Sequence, residues 1–439
     1  MSEEQDSAPS PRATPRRYLT DQTPGIGGSI KQRPDDFLVD EIPLYEPSGE
    51  GEHIYLLVQK HGMSTMDMIG EVARHFGVDR RAVGTAGLKD KHAVTRQVVS
   101  IHAPGKRPED FPMLRHDRIS VLWADLHANK LRPGHLKGNR FSIRIRGVNP
   151  MDVTRAQKVL RQIEKEGLPN RIGEQRFGML MNNHLLGRAL VLDRWEEFLQ
   201  LLLGPSERFP ARNAEGRALF AQGRYAEALE AFPRSARAER QALGQLSRGR
   251  DARRAVLSID HTLLSFLVSA LQAAIFNRVL DARMERGDWN RIIAGDLALK
   301  HDNYAVFAVD NATFADPETH ARCDRFEISP SGPMWGSGMP RPTDDVARIE
   351  QDALAELGLT PEQMDAFSKR AGGMVRGERR PLRVRLVDPD LEGGVDEHGG
   401  YIRVAFELPR GSFATVVLGE IMKPAAERDG AGADEETED

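Results

Sequence analysis

An aspartate held between two lysines is the feature of this chain most suited to chemistry. Asp90 lies between Lys89 and Lys91 in residues 85–97, TAGLKDKHAVTRQ, directly before a β-prone run. Flanking cations stabilise the negative charge of a carboxylate. A carboxylate placed at a turn between strands can act as a nucleophile or as a general base. Most such triplets are solvated turns, so the spacing alone does not establish catalysis.

As a string, this stretch resembles the signature of the TruD family of tRNA pseudouridine synthases. The family pattern AG-x-KD-(K/R)-x-A-x-T-x-Q is matched over residues 86–97. One departure is the pair Arg171-Ile172, where the family commonly has two aromatic residues, and it leaves the local packing there open. Four further blocks resemble the family in the same order: residues 30–65, LKGNRF at 136–141, PNRIGEQRFG at 169–178 and LPRGSFATVVLGEIM at 408–422.

The resemblance implies that the protein isomerises uridine to pseudouridine in tRNA, at uridine 13 in the D arm, without a metal or other cofactor. That reaction breaks the C1′–N1 bond, turns the uracil and rejoins it through C5, so it needs one carboxylate and groups that hold the base. The resemblance makes Asp90 the catalytic aspartate and Lys31 the lysine that pairs with it. The sequence leaves open whether Asp90 attacks carbon or removes the C2′ proton.

The resemblance also implies a set of residues that bind the flipped base, which costs a few kcal/mol to extrude. Stacking on an aromatic ring returns roughly 1–3 kcal/mol per base. An asparagine can donate and accept hydrogen bonds at once. Without the resemblance, these residues would be interpreted as ordinary core and turn residues. The implied substrate-binding residues are Phe37, Asn139, Phe141 and Phe413.

Charge is distributed unevenly along the chain, whose formal net charge is −4. Residues 427–439 hold seven acids and one arginine, whereas residues 81–146 hold 14 basic and five acidic residues, a net of +9. Basic charge around a site suits a polyanion such as tRNA, although a solvated strand surface would look the same. The candidate contacts to the RNA backbone are Lys130, Arg132, Lys137, Arg140 and Arg144.

Several other classes of protein are disfavoured. The chain has no GxxxxGK[ST], G-x-S-x-G or HExxH motif, and its one cysteine, Cys323, excludes an internal disulfide. No apolar run approaches the roughly 20 residues of a membrane span, and the amino terminus lacks an apolar segment. We therefore expect a cytoplasmic protein without a nucleotide cofactor, and the resemblance implies a monomer.

The order of elements predicts an α+β fold. With the resemblance, this becomes a mixed β-sheet catalytic core interrupted by a large, mainly helical inserted (TRUD) domain. The predicted divisions are a disordered segment 1–24, core 25–168, insertion 169–380, core 381–425 and an acidic disordered tail 426–439. Residues 331–338, SGPMWGSG, are predicted to form a turn-rich loop. The predicted strands are 36–42, 53–59, 82–86, 94–102, 119–124, 141–146, 382–387 and 401–408, and the main helices are 65–76, 152–166, 261–286 and 412–422.

Two alternatives from other classes stay open. The first is a catalytically inactive RNA-binding protein or RNA chaperone on the same fold, against which the intact Asp90 and Lys31 argue. The second is a hydrolase that uses one carboxylate at a glycosidic centre and needs a second acid. Its candidates for that acid are Asp35, Asp36, Asp40 and Glu41.

Overall fold

The computed structural model describes residues 17–206, 211–371 and 375–423, which form two units. Among the described residues, the sheet unit comprises Tyr18–Leu168 and residues 384–423, and the inserted unit comprises Arg17 and Pro169–Arg383. Strands and helices occur in both units, which confirms the predicted α+β class. The predicted acidic tail 426–439 lies outside the described residues.

The elements are numbered here in chain order. The strands are β1 Phe37–Pro43, β2 His53–His61, β3 Val83–Thr85, β4 Val94–His102, β5 Ile119–His127, β6 Leu136–Arg146, β7 Leu168–Pro169, β8 Leu297–Lys300, β9 Val306–Ala308, β10 Ile328–Met334, β11 Glu378–Pro381, β12 Arg383–Val384, β13 Val387–Asp396 and β14 Gly399–Pro409. The helices are α1 Thr65–Phe76, α2 Val153–Glu166, α3 Asn183–Val191, α4 Trp195–Leu203, α5 Ala214–Ala221, α6 Tyr225–Ala231, α7 Arg237–Leu246, α8 Ala252–Leu257, α9 His261–Arg286, α10 Asn311–Ala315, α11 Pro317–Asp324, α12 Asp344–Ala355, α13 Pro361–Arg370 and α14 Ala414–Met422.

An eight-stranded mixed sheet forms the centre of the sheet unit. Its order is β13-β14-β6-β1-β4-β2-β5, with β3 paired to β4. Strands β1 and β4 run parallel, and the other pairs of this sheet are antiparallel. Apolar side chains of β1, β6 and β14 pack with α2 and α14 into one core, and those of β2 and β4 pack with α1 into another. The predicted mixed sheet is therefore confirmed.

Helix α1 shows how local sequence sets an element. The Ser64 hydroxyl accepts a hydrogen bond from the backbone N–H of Asp67, which satisfies a free donor of the first turn. Gly77 ends the helix with φ of 63°, a conformation that glycine adopts without strain. The bounds agree with the helix predicted at residues 65–76.

Two sequence predictions about this unit are wrong. The strand predicted at 382–387 is replaced by the short β12 and by β13, whose sequence VDPDLEGGVD is too acidic and glycine-rich to indicate a strand. Disorder predicted up to residue 24 does not extend to Thr20 and Thr23, which are both buried. The Thr20 hydroxyl and backbone N–H donate to the Glu420 carboxylate of α14, so these residues are part of the core.

The inserted unit is organised around α9, which has the predicted bounds His261–Arg286. By length and composition this helix could cross a membrane, but 67% of its apolar window is buried inside the structure. That degree of burial is typical of a core helix. Helices α3 and α12 and strand β10 pack against it.

The inserted unit also contains a four-stranded sheet, in the order β11-β10-β8-β9. The turn-rich loop predicted at 331–338 is wrong for its first half, because residues 331–334 belong to β10 and the strand is buried up to its last residue. Two prolines in its sequence argued against predicting a strand there. Its first half pairs with β8 and its second half with β11, so each half has one partner and tolerates a residue without an N–H.

Polar contacts stabilise residues 171 and 172, where the sequence departs from the aromatic pair of the family pattern. The Arg171 guanidinium makes a bidentate ion pair with Asp281 of α9. The Ile172 side chain is buried, and its backbone N–H donates to the Asn277 side chain at 2.9 Å. The two residues are therefore well packed without the aromatic pair.

Gly138 of β6 tests how closely the strands beside the site are packed. A Cβ there would lie 2.2 Å from the carbonyl oxygen of Leu408 on β14, whereas a Cβ at Gly87 would meet nothing within 4 Å. We expect Gly138→Ala to lower the free energy of unfolding by about 2–3 kcal/mol, because β6 and β14 must separate. Gly87→Ala is the matched control and should leave it nearly unchanged. Urea unfolding measures both, and equal effects would contradict the assigned register.

Candidate active site

The loop between β3 and β4 positions Asp90, and its backbone is anchored at several points. The Thr65 hydroxyl accepts a hydrogen bond from the backbone N–H of Lys89 at 2.9 Å. The carbonyls of Ala86 and Ala93, at the two ends of the loop, accept from the backbone N–H groups of other loops. A loop fixed in this way holds its side chains in place before any ligand arrives.

Lys60, the second-to-last residue of β2, lies beneath the loop and is fully buried. Its Nζ donates to the carbonyl oxygen of Asp90 at 2.6 Å and to that of Met63 at 2.7 Å. Burial lowers the pKa of Lys60 to about 8; the Asp90 carboxylate acts against this shift and the Lys89 ammonium adds to it. Lys60 thus fixes the main chain of Asp90 from inside the protein.

The side chain of Lys89 extends from the same loop down to the sheet. Its Nζ lies 2.8 Å from the Glu41 carboxylate of β1 and donates to Asn139 Oδ1 of β6 at 2.6 Å. The exposed fractions of the Lys89 and Glu41 side chains are 5% and 1%, so the ion pair is buried. Glu41 and Asn139 are cross-strand neighbours, and the other Glu41 oxygen accepts from the Val98 N–H. One buried charge pair therefore joins the loop to β1, β4 and β6.

Lys31 contacts the carboxylate of Asp90 directly. Its Nζ donates to Asp90 Oδ2 at 2.9 Å and lies 4.6 Å from the centre of the Phe37 ring. The exposed fractions of the Lys31 and Asp90 side chains are 27% and 32%, which distinguishes this pair from the buried Lys89–Glu41 pair. Lys31 has φ of 61°, a left-handed conformation that strains a residue with a side chain. Strain of this kind is concentrated at functional sites.

The arrangement presents one carboxylate to an open site and surrounds it with cations. Within the described residues, Lys31 is the hydrogen-bond partner of the Asp90 carboxylate and engages one of its two oxygens. The other oxygen can approach a substrate atom as a nucleophile or take a proton. No group of three or more His, Cys, Asp or Glu residues in the described part of the chain is placed to hold a metal ion.

The predicted substrate-binding residues occupy different positions. Phe37 is buried beneath Lys31, and Asn139 reaches the site through Lys89. Phe141 follows two residues along the same face of β6, is 8% exposed and packs against Phe406 with ring centres 5.5 Å apart. Phe413 is half-buried directly before the first turn of α14. The structure thus connects Phe37 and Asn139 to Asp90 through Lys31 and Lys89.

Two of the residues predicted to contact the RNA backbone lie on the face of β6 opposite to that of Asn139. Side chains alternate along a strand, so Arg140 and Arg144 point away from the face that carries Asn139 and Phe141. Arg140 pairs with Glu407 at 3.1 Å. Arg144 lies 3.9 Å from the carboxylates of both Asp36 and Asp396.

The other three predicted backbone contacts lie near the loop. Lys130 Nζ donates to the Arg81 carbonyl and is partly buried, whereas Arg132 and Lys137 are exposed. A contact with RNA stays a prediction for all five basic residues.

The four acids considered for a two-carboxylate hydrolase are engaged elsewhere. Asp35 lies 3.3 Å from His61, Asp36 is buried against Arg146, and Asp40 lies 3.7 Å from Arg96. Glu41 comes nearest to the site, but it is buried and bound to Lys89. Within the described residues, none of the four pairs with Asp90 or faces it as a free acid.

Sequence reasoning missed the roles of Glu41, Lys60, Thr65 and Lys89 in the site. A signal for two of them was present. Glu41 is in phase with the buried Phe37 and Val39 of β1, and Lys60 is in phase with three buried apolar residues of β2. A charged residue on the buried face of a strand must be paired, which marks a structured polar site.

Comparisons with known proteins place this geometry in context. The family model for tRNA pseudouridine synthase D (TruD) matches residues 14–421. A protein named tRNA pseudouridine synthase D from Geobacter sulfurreducens is 43% identical over 419 residues, covering 95% of this chain and 98% of that protein. One of the same name from Thermus thermophilus is 35% identical over 415 residues, covering 94% of each. The crystal structure of a candidate tRNA pseudouridine synthase D from Methanosarcina mazei matches with a TM-score of 0.78 and 26% identity, over 93% of this chain and 96% of that one.

The left-handed backbone of Lys31 gives a first test of the site. Lys31→Met and Lys31→Gly both remove the ammonium group, but only glycine relieves a strain of roughly 1–2 kcal/mol. We expect the glycine variant to exceed the methionine variant in unfolding free energy by about 1 kcal/mol, measured by urea unfolding. A methionine variant of equal or greater stability would contradict the left-handed assignment.

The buried Lys60 gives a second test, through pH. Its pKa is about 8 in the folded protein and about 10.4 in an unfolded chain. Between these values the unfolded chain binds a proton that the folded protein lacks, so folding stability rises with pH. We expect the unfolding free energy of the wild type, measured relative to Lys60→Met, to rise by about 1 kcal/mol per pH unit from pH 8 to 10. A constant difference across this range would mean that burial does not lower the pKa of Lys60.

Proposed function

The chain belongs to the TruD family of tRNA pseudouridine synthases, and on that premise we propose that Asp90 is the residue that reacts with the target uridine. The family activity is the isomerisation of uridine to pseudouridine in tRNA. The observation that best supports Asp90 is the hydrogen bond from Lys31, which leaves one carboxylate oxygen available at a partly exposed position.

Asp90 has two routes to the same product. Its carboxylate can attack C1′ and displace the uracil, or it can remove the C2′ proton so that a glycal forms as the base departs. In either route the uracil turns while still bound and C5 forms the new bond to C1′, which releases the Asp90 carboxylate in the first route and is accompanied by return of the proton to C2′ in the second. The hydrogen on C5 then leaves as a proton, and N1 gains one, so the product is an isomer of the substrate. The carboxylate must be correctly aimed, and positioning it through a charge-assisted hydrogen bond is the role we assign to Lys31.

Asn139 is proposed to hold the detached base through its amide NH₂ group. A lysine ammonium has no acceptor, so the contact with Lys89 requires the oxygen of Asn139 on that side. The NH₂ group is therefore left to donate to a uracil carbonyl. This orientation follows from the buried Lys89–Glu41 pair, which fixes the asparagine before the base arrives.

The three aromatic residues take different proposed roles. Phe37 supports Lys31 from below, since the ring is buried and the ammonium lies over it. Phe141 and Phe413 are proposed to line the pocket that holds the uracil, and Phe413 is the more exposed of the two. An apolar ring there gives the extruded base a surface for stacking.

The target site and setting are proposed from the family resemblance. We propose uridine 13 in the D arm of tRNA as the substrate position, and a cytoplasmic monomer without a metal or nucleotide cofactor as the active form. Basic residues of the sheet unit, among them Lys130, Arg132 and Lys137, are proposed to contact the RNA backbone, with Arg140 and Arg144 doing so on the other face of β6.

The Asp90→Asn variant tests the proposed role, because the amide keeps the shape of the side chain but lacks its basicity and nucleophilicity. We expect pseudouridine formation to fall by at least about a thousandfold, whereas tRNA affinity and folding change little. The measurement is carbodiimide labelling and primer extension on unmodified tRNA transcripts, beside a filter-binding assay.

The outcomes separate the proposal from its alternatives. A primer-extension stop in the D arm that disappears in the variant supports both the target and the residue. Retained activity in the variant would exclude Asp90 as the reacting group. A wild-type protein that binds tRNA without modifying it would instead indicate the inactive RNA-binding protein.

A further inference from the structure

A groove lined by arginines lies on the surface of the inserted unit, along α7. Two adjoining cavities of about 220 and 400 Å³ share four residues of this region, Arg240, Gln241, Gly244 and Arg248. Arg234 and Arg237 line the larger cavity. We call this feature the arginine groove, defined by Arg234, Arg237, Arg240 and Arg248.

The arginines of the groove have no carboxylate partners among the described residues. No Asp or Glu oxygen of that part of the chain lies within 4.0 Å of their guanidinium groups, although neighbouring arginines are paired, such as Arg224 with Glu227 and Arg254 with Asp251. Residues 232–254 contain seven arginines, no lysine and two acids. The groove therefore concentrates positive charge with which no carboxylate of the described residues is paired.

Arg240 shows that the groove is a built feature rather than a set of loose side chains. Its guanidinium donates to the carbonyl oxygens of Leu229 and Phe232, the latter at 2.7 Å, and so satisfies the carboxyl end of α6. The residue is half-buried, whereas the other three arginines of the groove are exposed. The groove thus combines one arginine that is fixed by hydrogen bonds with three whose side chains are exposed.

Gly244 forms an open part of the groove floor. It lies inside α7, where glycine is a poor helix former. A Cβ at this position would meet nothing within 4 Å, so packing does not require glycine there. The absent side chain leaves space for a ligand to approach the helix between Arg240 and Arg248, which lies two residues beyond the end of α7.

We propose that the arginine groove binds the phosphodiester backbone of tRNA at a second site, separate from the reacting uridine. Planar guanidinium groups bind phosphate oxygens in pairs, and arginine is preferred to lysine where that geometry matters. Arg237 and Arg240 on α7, together with Arg248 just beyond its end, can engage more than one phosphate of a strand. The inference rests on the proposed function in one respect, that tRNA is the polyanion this protein meets.

The experiment compares tRNA binding by three full-length variants at several salt concentrations. The first is Arg237→Gln with Arg248→Gln, which removes two exposed charges from the groove but leaves the half-buried Arg240. The second is Gly244→Glu, which places a carboxylate in open space on the groove floor. The matched control is Arg325→Gln with Arg348→Gln, which removes two exposed charges of the same unit outside the groove.

We expect both groove variants to raise the Kd for an unmodified tRNA transcript by about tenfold, and the double variant to reduce the slope of log K against log salt by about 1.5. Circular dichroism should show an unchanged fold, and the rate with saturating tRNA should equal that of the wild type. An unchanged Kd and slope in the groove variants, or an equal loss in the control, would overturn the proposal. If the groove instead binds an acidic protein, the groove variants should leave the Kd for tRNA and the salt slope unchanged.

The failure of this inference is distinguishable from failure of the proposed function. Asp90→Asn is expected to reduce the rate of pseudouridine formation without changing tRNA affinity. The groove variants are expected to reduce tRNA affinity without changing the rate at saturating tRNA. A wild type that binds tRNA with the expected groove dependence but forms no pseudouridine would refute the function and retain the groove.

Discussion

The buried ammonium of Lys89 is the constraint on which the site depends. A charge removed from water is tolerated only when it is paired, and loss of one partner of a buried pair typically costs about 3–5 kcal/mol. Glu41 and Asn139 provide the partners, on two neighbouring strands. Because the next residue along the chain is Asp90, the position of the carboxylate that we propose to react is set by the sheet rather than by the loop. The orientation of the Asn139 amide follows from the same contact.

The three lysines around Asp90 act on different parts of it. Lys60 binds its main-chain carbonyl, Lys89 fixes the neighbouring residue, and Lys31 binds the carboxylate itself. Accessibility increases in that order, from a fully buried ammonium to one about a quarter exposed. The carboxylate of Asp90, proposed to react, is therefore accessible, whereas Lys60 and Lys89, which fix the backbone around it, are closed to water. Such preorganisation places the reorganisation cost in folding rather than in the reaction.

Periodicity and family resemblance predicted most of what local sequence determines. Helices α1 and α9 have their predicted bounds because caps and apolar spacing mark them. Strand β13 was missed because it forms by pairing with β14, despite acids and glycines. The pair Lys31–Asp90 was implied by the resemblance and has the expected contact. The Lys60 contacts could not be predicted, since they join residues 30 positions apart through a backbone carbonyl that no motif encodes.

The order of the strands has a consequence for synthesis on the ribosome. Strand β6 is central in the sheet, yet its neighbour β14 begins at Gly399, after the whole inserted unit has been translated. At about 5–20 residues per second, the edge of β6 that pairs with β14 waits roughly 13–50 s for its partner. An unpaired apolar strand edge is prone to join other chains. The nascent protein therefore passes through a period when its mixed sheet is incomplete although Pro169–Arg383 has already been translated.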